Sequence, residues 1–591
     1  MSDLLCIGAD NRDRSLERGK IMAEYLTPGV YVEEVDRGIR IMEGVSTSRT
    51  GFIGLTQRGP IVGKPTLITS FAEYLRIFGG FLPNSFKEHR YLAYSVEQFF
   101  ENGGNAAYIM RVANPKDTCA FHNIEGVIPI HVESANVGKW GNQLQLKITR
   151  NYKRKVTILE EGSAECSYIV RDASAFCVGD LVEFSDGEKA GSFYKVLSIQ
   201  DQCITLDAPL EKENASLTEN KLYAVQYDIW VEISDLEESY IGVSMQQGLS
   251  NSWDIIVAKS QFIKVTLDQK DADKAAYQEL DQRLCADNGV YQMTFTQGTT
   301  NNVEDELSMY RGEDHGLGKR SGLYAFQEVT DVSLMCMPGI TSLQVQSALI
   351  AYCENRKNCF AILDMPFSAK TAAELLEHRS HFDSSYAAMY HPWLECFDRL
   401  EKCSVFFPPS GFIAGIYART DNTRGVHKAP ANESVQNCTR LSVNYQETEQ
   451  AKLNPQGINL IRAIPGSGIR VWGARTLSSD SSWKYVNIRR LFIYIEETIR
   501  LNIQWAVNEP NDELLWERVQ KKIIMFLTTI WRNGALMGAT PNEAFFVDVG
   551  KTTMTQEDIL HGHLICLVGV APTRPAEFVI FKITLELEAG A

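Results

Sequence analysis

Asn459 to Thr476 reads NLIRAIPGSGIRVWGART. Two short apolar runs flank a Gly466-Ser467-Gly468 tip, which predicts a β-hairpin over Leu460 to Thr476. Beyond it, Val486 to Trp505 carries Ile488, Leu491, Phe492, Ile495, Ile499 and Ile503 on one stripe of a helix. Asn511 is placed to cap a second helix, Asp512 to Arg532, which ends before Gly534. The last strand, Phe578 to Leu587, sets Ile583, Leu585 and Leu587 against Thr584, Glu586 and Glu588. A terminal strand with one apolar face is suited to extending the sheet edge of a neighbour. Gly457 to Leu587 therefore reads as a part that joins copies of the chain.

Upstream, residues 320 to 420 alternate strand and helix: Val332–Met337, Leu343–Glu354, Phe360–Leu363, Ala372–Glu377, Ala387–Tyr390 and Val405–Phe407. That rhythm predicts a sheet covered by helices. The polar stretch Asn432–Asn454 reads as a surface loop. Residues 115 to 290 hold short β runs between polar turns, among them Gln143–Arg150, Gly179–Phe184, Cys203–Leu206 and Tyr227–Ile233. These predict small β modules inserted into a host domain. Near the N-terminus, strands Val30–Val35, Thr50–Thr56 and Ala106–Val112 surround helices Phe71–Phe78, with a Ser70/Glu73 capping box, and His89–Glu101. The expected class is a multidomain α+β protein: a mixed α/β core from both ends of the chain, inserted β-rich modules and an α/β middle domain. The expected divisions are 1–21, 22–114, 115–290, 291–431, 432–456 and 457–591. Residues 1–21 read as a disordered tail or a wrongly assigned start, since Met22 opens MAEYLTPGVYVEEV behind Glu17-Arg18-Gly19-Lys20, a run encodable by purine-rich codons.

A chain of 591 residues exceeds what one core organises. Its net charge of -16 argues against general nucleic-acid binding. No apolar run is long enough to span a bilayer, and the N-terminus lacks the basic region of a secretory signal. The 13 scattered cysteines fit reduced thiols better than a disulfide framework.

There is no GxxxxGK[ST], HExxH, GxSxG or CxxC. Cys353 with Cys359, and Cys396 with Cys403, do not have zinc spacing. His561-Gly562-His563 reads first as a turn before a strand, Leu564–Val570, and second as a metal pair. Ser410 reads as a helix N-cap rather than a nucleophile, and Asp364 as a capping or turn residue at a strand end. Their alternative is an α/β enzyme centred on residues 320–420 with Asp364 or Ser410 catalytic; a surface-layer protein with β modules is a third reading. Neither a catalytic residue, a cofactor site nor a metal site is expected.

The chain resembles the contractile tail sheath proteins of phages and bacterial contractile injection systems. The resemblance rests on Thr27-Pro28-Gly29-Val30-Tyr31-Val32-Glu33-Glu34, Gly44-Val45-Ser46-Thr47-Ser48, Gly51-Phe52-Ile53-Gly54, Arg58-Gly59-Pro60 and Phe99-Phe100-Glu101-Asn102-Gly103-Gly104. It continues through Trp140-Gly141-Asn142, Met337-Pro338-Gly339-Ile340, Asp364-Met365-Pro366 and Tyr390-His391-Pro392-Trp393. Its densest part is Pro408–Gly415, Ala418-Arg419-Thr420-Asp421, Gly425–Asn432, Asn459–Thr476 and Tyr485–Glu497. His427 departs from an aromatic common in the family, and the β insertions after Arg150 fall in its variable part.

The resemblance implies a structural subunit that stacks as hexameric rings around an inner tube and contracts to drive that tube through a target envelope. It implies exchange of an N-terminal and a C-terminal strand between subunits, here through Val30, Val32 and Val35 and through Phe578, Ile580, Ile583, Leu585 and Leu587. It further implies hinges at Gly38–Thr50 and Ala571–Pro575. The C-terminal helical part would face the tube, with Arg489, Arg490, Lys521 and Lys522 as candidate contacts. The implied partners are further copies, the tube protein, baseplate proteins and a terminator or cap, with no nucleic acid and no membrane insertion. Assembly in a bacterial cytoplasm, then service in a phage virion or injection particle, is the implied setting.

Overall fold

Strand β1 (Thr50–Leu55), containing Gly51-Phe52-Ile53-Gly54, is buried at every residue. In the computed structural model the described residues are 42–185, 191–210, 221–267, 272–286, 289–301 and 303–577. Residues 1–41 lie wholly outside them, and so do both expected exchanging strands, with Val30, Val32, Val35, Phe578, Ile580, Ile583, Leu585 and Leu587.

Strand β1 lies inside a nine-stranded sheet. With β2 (Thr66–Ile68), β3 (Ala107–Val112), β4 (Leu334–Cys336), β5 (Phe360–Asp364), β6 (Ala387–His391), β7 (Ile458–Ile464) and β8 (Gly468–Val471), the order is β2-β3-β1-β4-β5-β6-β7-β8, closed by the short strand Glu433–Ser434. The six strands from β3 to β7 run parallel. Parallel strands covered on both faces have no solvent side, so their sequences are nearly continuous apolar runs. On one face lie Ile53, Met110, Met335, Leu363, Met389 and Leu460, packed with Val345, Leu349 and Cys353 of the helix Leu343–Arg356. On the other lie Phe52, Ile109, Leu334, Ile362, Tyr390 and Ile461. That second face is covered by α1 (Phe71–Phe78), α2 (Leu92–Glu101) and α3 (Ser410–Arg424).

Two sequence expectations change here. The expected hairpin is present, but β7–β8 turns at Pro465-Gly466-Ser467, one residue before the expected Gly466-Ser467-Gly468 tip, with Gly466 and Gly468 at φ of 74° and 76°. However, β7 pairs in parallel with β6, Met389 opposite Ile458, so the hairpin belongs to the sheet rather than to the helical part after it. The expected surface loop Asn432–Asn454 contains two short strands and the helix Glu447–Leu453. Tyr445 within it is 2% exposed, its hydroxyl 2.9 Å from Nε2 of His391.

Helices α2 and α3 approach so closely because two residues of α3 have no side chain. A Cβ on Gly411 would sit 2.4 Å from the Ser95 carbonyl oxygen, and one on Gly415 would sit 2.5 Å from that of Phe99.

The inserted residues form a three-stranded and a four-stranded sheet and a closed six-stranded barrel. The barrel, Lys155 to Ala224, interrupts the chain between two neighbouring strands of the four-stranded sheet, Gln145–Asn151 and Gln226–Ile233. It is thus an insertion within an insertion. Arg111 ties insert to core: its guanidinium donates to the carbonyls of Gly59 and Val137 at 2.9 and 2.8 Å.

The C-terminal unit comprises α4 (Val486–Asn502), α5 (Glu513–Arg532) and an antiparallel pair, β9 (Phe545–Val549) with β10 (Cys566–Val570). Asp512, not Asn511, caps α5, accepting from the Leu515 amide at 2.8 Å. Asn511 instead accepts from the Trp516 indole.

The α2–α3 contact sets a testable limit. Gly415→Ala should destabilise the chain by about 1–3 kcal/mol, since the added methyl meets backbone that must move. Denaturant unfolding measures this, and an unchanged midpoint would show that the helices separate freely.

Candidate functional site

Helix α4 is buried on nearly all sides of its first turns, from Val486 to Leu491. That corrects the expected exposure of Arg489 and Arg490. The Arg490 guanidinium forms a bidentate pair with Asp421 at 3.0 and 2.5 Å, both side chains being 3% exposed, and lies 4.7 Å above the Tyr417 ring. The Arg489 guanidinium lies 3.4 Å from the Trp483 ring centre and 4.5 Å from that of Tyr386, with Nε donating to Ser385. A helical wheel places both beside the core stripe. The end of α3 and the chain before β6 cover that side, so neither faces out.

The lysines differ from each other. Lys521 is exposed and pairs with Glu517 one turn earlier at 2.5 Å. The Lys522 ammonium lies 4.6 Å above the Trp505 ring, which draws it off the outer face of α5. That outer face also shows Leu514, Ile524 and Met525, exposed by 69%, 37% and 42%. The sequence reading missed these three. Their signal was present as apolar residues off the stripe that Leu515, Val519, Ile523, Phe526 and Ile530 turn inward.

Strands β9 and β10 lay Phe545, Val547 and Val568 against α5 and turn Phe546 and Leu567 outward, each 55% exposed. The Phe546 ring covers Gly569 opposite it, where a Cβ would meet the ring at 2.0 Å. Among the described residues neither strand has a second partner strand. An unpaired edge of main-chain donors and acceptors beside an apolar face is the ordinary acceptor for an added strand.

The segments expected to be hinges are tied to the body at several of their described residues. Thr47 donates its hydroxyl to Asp421 at 2.6 Å and accepts from Arg490 through its carbonyl at 2.8 Å. At the other end, Ala571 donates to the Ala544 carbonyl and Thr573 to that of Ala535. Glu577 accepts from Arg475 Nε and Nη2 at 2.7 and 2.6 Å, from Asn454 at 2.8 Å and from the Tyr485 hydroxyl at 3.1 Å. Burial pushes the Glu577 carboxyl up, but the bonds from Arg475 and Asn454 outweigh it and hold it below the usual carboxylate range.

The structure does bring the alternative pair together. Asp364, ending β5, accepts from the Ser410 amide and hydroxyl, both at 2.7 Å, and from the Gly339 amide at 2.9 Å. Ser410 is therefore the first residue of α3 rather than its own cap, and the capping oxygen comes from the strand. Both side chains are buried, at 1% and 0% exposure. Burial pushes the Asp364 carboxyl up to about 6 against the pull of those bonds. His561 and His563 stand in the turn before β10, their rings 6.2 Å apart. Among the described residues no three His, Cys, Asp or Glu side chains gather as metal ligands.

Residues 320–477 match a family described as the phage tail sheath protein central domain, and residues 478–586 match the phage tail sheath C-terminal domain. The junction falls where the sheet ends, just after Leu477 donates to the Ala387 carbonyl. The chain is similar to the putative prophage major tail sheath protein of Pseudomonas aeruginosa strain UCBPP-PA14, with 27% identity over 244 residues, 40% of this chain and 62% of that one. The chain thus spans under two thirds of that relative's length. It is 33% identical to a chain of the anti-feeding prophage baseplate, over 52% of this chain and 86% of that one, with a TM-score of 0.41. Likeness of fold extends over 96% of this chain and 99% of a chain from an extracellular contractile injection system, the PVC sheath complex in its contracted state, at 21% identity and a TM-score of 0.50.

The buried Asp364 yields a pH signature. Its carboxyl titrates higher folded than unfolded, so the folded state holds a proton that the unfolded state has lost between pH 4 and 6. Its contribution is therefore greatest in acid and falls as pH rises to about 6. Relative to Asp364→Asn, wild type should lose on the order of 3 kcal/mol of stability between pH 4 and pH 7. Denaturant midpoints of both proteins at the two pH values measure this, and a pH-independent difference overturns it.

Proposed function

The chain belongs to the contractile tail sheath family, and we propose that it is the repeating subunit of a sheath that stacks as hexameric rings around an inner tube and shortens to drive the tube through a target envelope. One observation carries the reading: among the described residues β9 and β10 have no partner beyond each other, in a unit to which Thr47 and Glu577 are both tied. Within the terminal sequence Phe578–Leu587, Ile583, Leu585 and Leu587 alternate with Thr584 and Glu586, the pattern that such an edge accepts in an added strand. Val30, Val32 and Val35 supply a second one from the N-terminal side. Main-chain hydrogen bonds hold such a joint whatever the rigid-body orientation of the subunits beyond it.

The outer face of α5 is the part offered to the tube. Lys521 supplies charge there, while Leu514, Ile524 and Met525 supply a shallow apolar contact. Exposed ion pairs and partly covered apolar side chains are individually weak, which suits a contact that must release. In this reading contraction consumes no nucleotide. The extended lattice lies above the contracted one in free energy, and each subunit's gain in contacts supplies the work. Baseplate and terminal cap proteins would bound the stack, and assembly would take place in the bacterial cytoplasm.

Electron microscopy of the purified full chain beside a chain ending at Glu577 tests the joint. Tubes from the first and isolated rings or monomers from the second are expected. Tubes of equal length from both would remove the terminal strand from the mechanism. Lys521→Glu should weaken co-sedimentation of the sheath with its tube while leaving the subunit's melting midpoint unchanged, and unaltered co-sedimentation would take α5 away from the tube.

A further inference from the structure

We propose that a cationic cleft on the flank of the central sheet receives the acidic hairpin tip Glu232–Glu237 of a second copy of the chain. This rests on the sheath reading above and adds to it a contact between copies that uses neither chain end.

The cleft lies between the short helix Gly322–Glu328 and the helix Leu343–Arg356, and its volume is about 610 Å³. That is the size of a site for a few side chains. Leu323, Ala348 and Ala351 give it an apolar floor, and three guanidiniums line it, those of Arg311, Arg356 and Arg500. No carboxylate is among its lining residues. Arg356 joins the two walls by donating to the carbonyls of Phe326 and Val329 and to the Tyr352 hydroxyl. None of these acceptors carries a charge. Arg311 ends the helix Glu306–Arg311, is exposed, and among the described residues has no ion-pair partner. Only Arg500 is paired, with Glu497 at 2.7 and 2.5 Å. Three cations beside one carboxylate make a local positive excess on a chain of net -16. Walls of low dielectric concentrate that field in the cleft.

The hairpin has the opposite character. Strands Gln226–Ile233 and Leu236–Val243 turn at Ser234-Asp235, with Ser234 at φ of 51°. Glu232 stands directly opposite Glu237 across the pair, Asp235 is in the turn, and all three are exposed. Like charges directly opposite one another weaken a hairpin. The neighbouring Glu238 is used internally, accepting from the hydroxyls of Tyr240 and Ser260 and from the Gln261 amide. Glu232, Asp235 and Glu237 have no ion-pair partner among the described residues. A tip that gathers three carboxylates at a cost to its own pairing is complementary to a cleft of under-paired guanidiniums.

Position favours a contact from one copy to the next. Thr330 and Asn358 line the cleft shortly before β4 and β5 begin, so it lies toward the N-terminal ends of the parallel strands. The insert that carries the hairpin leaves β3 at its C-terminal end. Hairpin and cleft are therefore rooted at opposite edges of the sheet. A contact between two different patches repeats head to tail, as rings and helical stacks require.

Sedimentation equilibrium of the full-length chain at low salt tests this with Glu237→Lys, Arg311→Glu and both together. Each single variant should weaken association of copies several-fold, and the double variant should recover it, because the reversed charges meet across every contact. Glu237→Lys should also keep or raise the melting midpoint, since it removes the opposition to Glu232, and a purely structural role for Glu237 would lower it. Wild-type association in either single variant, or a double variant weaker than both, overturns the docking. If Arg311→Glu melts early, Arg311→Gln replaces it, and unchanged association from that variant overturns the docking too. A wild-type chain that pairs in this charge-dependent way but forms no tubes overturns the sheath reading alone. One that neither pairs nor forms tubes overturns both.

Discussion

A parallel strand cannot leave a sheet covered on both faces without stranding its amides and carbonyls in a dry interior. That constraint governs the protein. The run from β3 to β7 is packed by helices above and below, and its central strands β5 and β6 are buried at every residue. Each broken pair would leave buried polar groups unsatisfied, at a cost of about 1–3 kcal/mol apiece. The body therefore moves as one piece. Whatever rearranges between neighbours must be placed at its margins, where the hydrogen bonding is incomplete, and β9 with β10 is such a margin.

Much of the body was legible because its elements carry strong local signals. Phe71–Phe78 was read residue for residue, since Ser70 accepts from the Glu73 amide at one end and Gly79 ends it at the other. The parallel strands were legible as apolar runs, and the β modules as short runs between turns. What escaped was set by tertiary pairing. The hairpin β7–β8 has the same local sequence whether it pairs with β6 or stands alone, so only the sheet reveals where it belongs. Asn432–Asn454 reads as loop because it is polar, yet Tyr445 anchors it through His391 and Leu453 is fully buried.

The candidate site shows the same division more sharply. Amphipathic periodicity identified α4 and α5 and the core stripe of each. It failed for Arg489 and Arg490 because a wheel knows one helix and not its neighbours. A basic residue beside the stripe is exposed only when nothing packs there. Here Tyr417 and Asp421 from α3, and Trp483 with Tyr386, fill that side. The reverse error concerns Leu514, Ile524 and Met525, apolar residues that the stripe did not need.

Net charge bears on how the proposed joint would be held. The chain carries a net -16, and among the described residues seven arginines are buried: Arg58, Arg90, Arg111, Arg150, Arg475, Arg489 and Arg490. Several of these are spent on internal carboxylates, as in Arg90 with Asp398, Arg150 with Glu183, Arg475 with Glu577 and Arg490 with Asp421. Each internal pair cancels, so the excess acid remains with the rest of the chain, most of it at the surface. Copies of such a surface repel one another, and the repulsion accumulates in any close-packed array. With 74 acidic against 58 basic residues, ion pairing between copies leaves an acidic surplus. Main-chain pairing on an open edge, with apolar side chains on the adjoining face, works without regard to net charge. Buried arginine–carboxylate pairs inside an acidic subunit and, among its described residues, open edges on β9 and β10 would fit the strand-exchange joint proposed above.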